Sequence, residues 1–154
     1  MPLSIRGTIE IPNARDTSFD HGAFDPKTRR VFVAHTARDC VEVIDHDTSR
    51  HVATLKGFPG AAGAVANGGD VLITNRGAAS LAWLDAATLQ TRFVSPTAPR
   101  PNGVAITSSG SLAIAACIGD DTHGPELQVF DRDGKRDIVV ARQNRPNAIY
   151  FGGP

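Results

Sequence analysis

Glutamate and lysine are scarce in this 154-residue chain: three of each, against 13 Arg, with one Trp, one Tyr and two Cys. Only 8 Leu stand against 22 Val plus Ile, a mix that favours pleated, half-buried strands over helices. Two cysteines make no disulfide framework, and no Cys-x-x-Cys or paired Cys/His metal pattern exists. Cys40 and Cys117 therefore read as small buried apolar fillers. Excess charge is missing too, with 16 basic and 16 acidic residues. That balance argues against the basic footprint of a nucleic-acid binder, so no nucleic-acid partner is expected. No apolar run, Leu112 to Ile118 included, approaches the ~20 residues of a membrane span. The opening Met-Pro-Leu-Ser-Ile-Arg lacks the apolar core of a secretory signal, which makes the cytoplasm the default expectation and a membrane partner unexpected. No Gly-x-Ser-x-Gly elbow occurs, and Gly57 to Gly69 lacks the Lys-Ser/Thr of a phosphate loop. No motif combines nucleophile, base and orienting group, so the reading leans away from an enzyme.

What the chain does have is a repeat. Aligned on Gly22, Gly63 and Gly103, it steps by 41 and then 40 residues. Val31-Phe32-Val33 answers to Val71-Leu72-Ile73 and to Leu112-Ala113-Ile114. Val41 to Asp45 answers to Leu81 to Asp85 and to Leu127 to Asp131, and each unit closes on another apolar stretch. Turn residues separate the stretches: Asp25-Pro26-Lys27-Thr28, Asn67-Gly68-Gly69-Asp70 and Ser108-Ser109-Gly110 after the first strand of each unit. After the third strand come Asp45, Asp85 and Asp131, each expected to accept bonds from backbone N–H groups two or three residues on. Four short strands in a period of 40 to 45 residues is the signature of a β-propeller blade. The second and third strands are apolar on consecutive residues, as in sheets covered on both faces. Trp83 falls where Val43 and Val129 fall, and is expected to pack between blades.

Phe32-Val33-Ala34-His35 and Leu72-Ile73-Thr74-Asn75 resemble the tetrapeptide that names the YVTN β-propeller repeats. Val41 to Asp45 and Val52-Ala53-Thr54-Leu55 are similar to the rest of that repeat, and the resemblance covers about residues 19 to 153. It implies an all-β propeller of four-stranded antiparallel blades and says little of activity, because propellers host many functions.

The strand count is uneven. A lone outer strand over residues 5–11 is expected, then units over about 19–57, 60–95 and 102–142, then the start of another unit over 147–153. That makes about three and a half blades in one domain spanning 1–154, too few to close a ring. Two resolutions stand open: a fragment of a longer propeller, or a half-propeller that associates with its own kind to complete the ring. The expected partner is accordingly a second copy, or a protein or small-molecule ligand at the channel mouth.

Candidate site residues sit where inner strands begin. His21, Ala62, Asn102 and Asn147 share one register and are expected to face the central channel of the propeller. Asn and His there either ligate something or cap the turn entering the strand. Arg76, Arg100 and Arg145 fall near the same ends, and Arg suits carboxylate or phosphate recognition. Arg100-Pro101-Asn102-Gly103 and Arg145-Pro146-Asn147-Ala148 are similar to segments of the SMP-30/gluconolactonase propellers. That resemblance implies an alternative function, a metal-dependent lactone hydrolase in which His21, Asn102 and Asn147 help hold a divalent ion that activates water. The chain departs from that pattern: Glu10, Glu42 and Glu126 are its only glutamates and none lies at an inner-strand start, leaving Asp20 as the nearest carboxylate. One insertion, Gly119 to Gly124, gathers Asp120, Asp121 and His123, which either ligate a hard cation or form a solvated loop. The leading expectation is a non-catalytic binding or scaffold protein with no cofactor, and a divalent metal as the alternative.

Overall fold

The computed structural model describes residue 2 and residues 4–140. Asp-led turns and apolar stretches assemble into three four-stranded antiparallel sheets. The first holds β1 (Gly22–Asp25), β2 (Arg30–His35), β3 (Cys40–Asp45) and β4 (Arg50–Lys56). The second holds β5 (Ala61–Asn67), β6 (Asp70–Asn75), β7 (Ser80–Asp85) and β8 (Thr91–Pro96). The third holds β9 (Pro101–Ile106), β10 (Leu112–Cys117), β11 (Glu126–Asp131) and β12 (Arg136–Val140). Strand order within each sheet follows the chain, and the first strands β1, β5 and β9 pack side by side. The chain is thus all-β, three blades of a propeller with β1, β5 and β9 innermost.

The turns repeat as closely as the strands. Asp25, Asp45 and Asp85 each accept from the backbone N–H of the threonine three residues on, Thr28, Thr48 and Thr88, at 2.8–2.9 Å. The next residue, Arg29, Ser49 or Leu89, takes a left-handed φ of 53–62° to turn the chain back. Asp131 caps Asp133 and Lys135 in the third blade. Gly68 and Gly69, at φ 62° and 98°, make the two-residue turn between β5 and β6. In every blade the pairing of third and fourth strands slips at one equivalent place: after Val43, after Trp83 and after Val129. A bulge there bends and twists each outer strand in the same sense.

Cores lie between blades. Phe32, Ala34, Val41 and Val43 pack on Val71, Ile73, Ala82 and Leu84 between the first and second. Leu72, Leu81 and Trp83 pack on Ala113, Ala115 and Phe130 between the second and third, with Trp83 and Phe93 rings 5.2 Å apart. Each fully buried Phe or Leu contributes about 1.5–3 kcal/mol. The central blade is covered on both faces, which is why β6 and β7 are buried along nearly their whole length. The outward faces of the flanking blades keep Phe24 and Leu112 41% and 38% exposed.

Two expectations change. Residues 5–11 form no strand, and Ile5 is 95% exposed. Alternating isoleucines cannot make a strand without a ladder partner, and none is present among the described residues. The half-blade expected over 147–153 lies outside the described residues, so three blades are what the structure holds.

Candidate functional site

Close approach of the inner strands creates the channel mouth. The Gly63 N–H donates to Thr74 Oγ1 at 2.7 Å, and the Thr74 hydroxyl donates to the Asn102 carbonyl at 2.6 Å. A Cβ on Gly63 would sit 2.1 Å from that carbonyl oxygen, so only glycine fits where the second and third blades meet. One blade back, the His21 N–H donates to the Ala62 carbonyl at 3.1 Å. Two of the expected ring positions, His21 and Asn102, are therefore fixed by backbone bonds between blades.

Their side chains meet through Asp20, the neighbour of His21, and Arg76, the residue after β6. Asp20 Oδ1 lies 2.7 Å from Nδ1 of His21, and Arg76 Nη2 donates to Asp20 Oδ2 at 2.8 Å. The same Nη2 donates to Oδ1 of Asn102. Arg76 Nε is buried and has no hydrogen-bond partner among the described residues. The result is a partly exposed cluster, His21–Asp20–Arg76–Asn102, spanning all three blades. A lactonase-type metal would need the Asn102 oxygen that the guanidinium already occupies, and a cation beside Arg76 is repelled.

Arg100 is exposed at the same end, just before β9, with φ 54°. Arg145 and Asn147 lie outside the described residues. In the insertion, Oδ1 of Asp120 accepts the N–H groups of Thr122 and His123 and the Thr122 hydroxyl, at 2.8–2.9 Å. Those bonds hold the Asp120 carboxyl well below the usual carboxylate range. His123 Nδ1 is 3.2 Å from the same oxygen, and Asp121 takes no part in this network. The loop thus satisfies its own acceptor with its own backbone. Cys40 and Cys117 are both buried and free.

A second cluster was not expected from the sequence. Glu42, only 1% exposed in the middle of β3, sits where the other blades have Ala82 and Gln128. Its Oε1 is 2.8 Å from Nδ1 of His35 and accepts from the Cys40 thiol at 3.5 Å. Its Oε2 is 2.7 Å from Nε2 of His51 and accepts the Thr54 hydroxyl at 2.6 Å. The far nitrogen of His35, Nε2, meets Thr17 Oγ1 at 2.8 Å, while Phe19 stacks on the ring with centroids 4.2 Å apart. Burial alone would raise the Glu42 carboxyl, but hydrogen bonds from Thr54, His35, His51 and Cys40 outweigh it and hold it below its ordinary value. A cleft of about 810 Å³ opens beside it, lined by Thr17, Cys40, Glu42 and Thr54 among others. The signal available in the sequence was one glutamate inside an otherwise apolar strand, a placement that requires partners.

No helix among the described residues is long and apolar enough to cross a membrane. No family model matches the chain, and no curated protein matches it. Among solved structures 540 chains match, so the architecture is a common one and does not by itself name an activity. One of them is hydrazine synthase of Kuenenia stuttgartiensis, similar over 95% of this chain with a TM-score of 0.77 and 16% identity. This chain spans 42% of the length of that one, and at such low identity the likeness concerns the fold alone.

Proposed function

We propose that this chain is a non-catalytic binding module of the propeller class, engaging a carboxylate-bearing ligand at the mouth of its central channel. In this reading, further blades cover the outward faces of its first and third blades, from a longer chain or from a second copy. The observation that carries the binding role is Arg76, a partly exposed guanidinium held through Nη2 by Asp20 and Asn102, whose Nη1 takes no partner among the described residues. A guanidinium oriented through Nη2 keeps its positive charge and its uncommitted Nη1 hydrogens available to a second carboxylate. His21 and the exposed Arg100 add donors at the same end. The resemblance to YVTN repeats and the open phenylalanine and leucine faces support the same reading.

Ligand-observed NMR with small monocarboxylic acids and their matched primary amides tests it. Acids are expected to bind and amides not, with Arg76→Gln abolishing the difference. Equal behaviour of acids and amides, or undiminished acid binding by Arg76→Gln, overturns the proposal.

A further inference from the structure

The knot around Glu42 lies on the outward face of the first blade, next to the channel-mouth cluster, whose Asp20 and His21 pair by backbone bonds with Ala34 beside His35. Its residue types are those that hold borderline-soft metals. His35, Cys40 and Glu42 are all buried, and their ligating atoms lie within 4.8 Å of one another. We propose that Nδ1 of His35, Sγ of Cys40 and Oε1 of Glu42 form a binding site for one divalent ion of the zinc class. A fourth coordination position would face the cleft that Cys40 and Glu42 line.

Geometry comes first. Tetrahedral coordination at zinc distances separates ligand atoms by roughly 3.3–3.8 Å. Cys40 and Glu42 already stand 3.5 Å apart, while His35 and Glu42 stand at 2.8 Å. An ion entering between them opens the second contact by roughly 0.5 Å, within reach of side-chain rotation.

Charge comes next. Glu42 carries one negative charge, and binding converts the Cys40 thiol to thiolate, releasing its proton to solvent. A divalent ion with one carboxylate and one thiolate is neutral overall, the state a buried site favours.

The outer shell agrees with both. When the ion takes Nδ1 of His35, the ring proton moves to Nε2, where Thr17 Oγ1 stands ready at 2.8 Å to accept it. Glu42 binds through Oε1 while Oε2 stays held by Thr54 and His51. Partners of this kind orient metal-ligating His and carboxylate groups and raise affinity. Thr17 is a positioning residue here, and the ion would tie the segment before β1 to the first blade.

Cobalt(II) titration of the full chain, followed by absorption, reads the site directly. One equivalent is expected to saturate it, giving a thiolate-to-cobalt band in the near ultraviolet and visible bands of tetrahedral intensity. Cys40→Ser should remove the near-ultraviolet band. Thr17→Val, in a partly exposed segment outside the blades, should weaken cobalt 10–100-fold. His21→Ala and His123→Ala should leave the titration unchanged. Absence of the near-ultraviolet band, its persistence in Cys40→Ser, or unaltered affinity in Thr17→Val would each overturn the proposal. So would loss of binding in His21→Ala or His123→Ala.

Discussion

Gly60 and Arg100 occupy the same place in consecutive blades and share one backbone conformation, with φ of 60° and 54°. Each follows a proline and directly precedes an inner strand. Each carbonyl accepts from the residue just after a second strand, Arg76 at 3.1 Å and Ile118 at 3.0 Å. Glycine adopts this left-handed conformation freely, whereas a residue with a Cβ is strained there by about 1–2 kcal/mol. Arginine at the channel mouth in a conformation made for glycine is strain located where binding is proposed.

Arg100→Gly therefore removes strain, partly offset by the greater freedom of glycine in the unfolded chain. A net gain of up to about 1 kcal/mol is expected in urea unfolding. A loss of that size would contradict the strain. If the same variant also binds carboxylates less well, the residue trades stability for recognition.

Gly63 and Gly22 hold equivalent repeat positions in the inner strands β5 and β1 but should respond differently to alanine. At Gly63 the new Cβ would meet the Asn102 carbonyl oxygen at 2.1 Å, and neither backbone can yield without breaking the Thr74 bond. At Gly22 the nearest atom is 3.5 Å away, an ordinary contact. Gly63→Ala is expected to lose about 3 kcal/mol or more, while Gly22→Ala stays within about 1 kcal/mol of the parent. Thermal unfolding of the two variants side by side gives the comparison.

Alkaline pH should weaken the fold through its thiols. Burial, then the charge of Glu126, raises the Cys117 thiol from 9.0 to about 11. The folded state thus prefers the neutral form, so the stability is whole below pH 9 and declines as pH rises towards 11. About 2 kcal/mol should be gone by pH 10.5 from this one group. Urea unfolding between pH 8 and 10.5 should show a steeper decline for the parent than for Cys117→Ala. Parallel declines would contradict the assignment. Cys40, pushed up to about 11 by burial and the charge of Glu42, declines alike in parent and variant. Three lysines and one tyrosine leave few other groups titrating in that range.

Most of the architecture was legible because the repeat wrote it three times. The 41- and 40-residue steps, the Asp-led turns and the doubled apolar runs located all twelve strands, and Trp83 packs between blades as its register required. Residues 5–11 misled because alternation signals a strand only when another strand is there to pair with it. The channel-mouth cluster was half legible: register pointed to His21 and Asn102, but their link through Asp20 and Arg76 depends on how three blades lean together. The Glu42 knot was hidden for the same reason. Its members come from the segment before β1 and from β2, β3 and β4, and only the pairing of those strands brings them into contact. In the insertion, the sequence showed two carboxylates and an imidazole but not that Asp120 spends its acceptor on its own loop.

Three blades with outward apolar faces make the central claim a matter of mass. Light scattering across a concentration series, on the purified chain, tests it most directly. Association beyond the 16.2 kDa of a single chain is expected, rising with concentration and reduced when Phe24 and Leu112 are both replaced by serine. A monodisperse 16.2 kDa species at every concentration would contradict it.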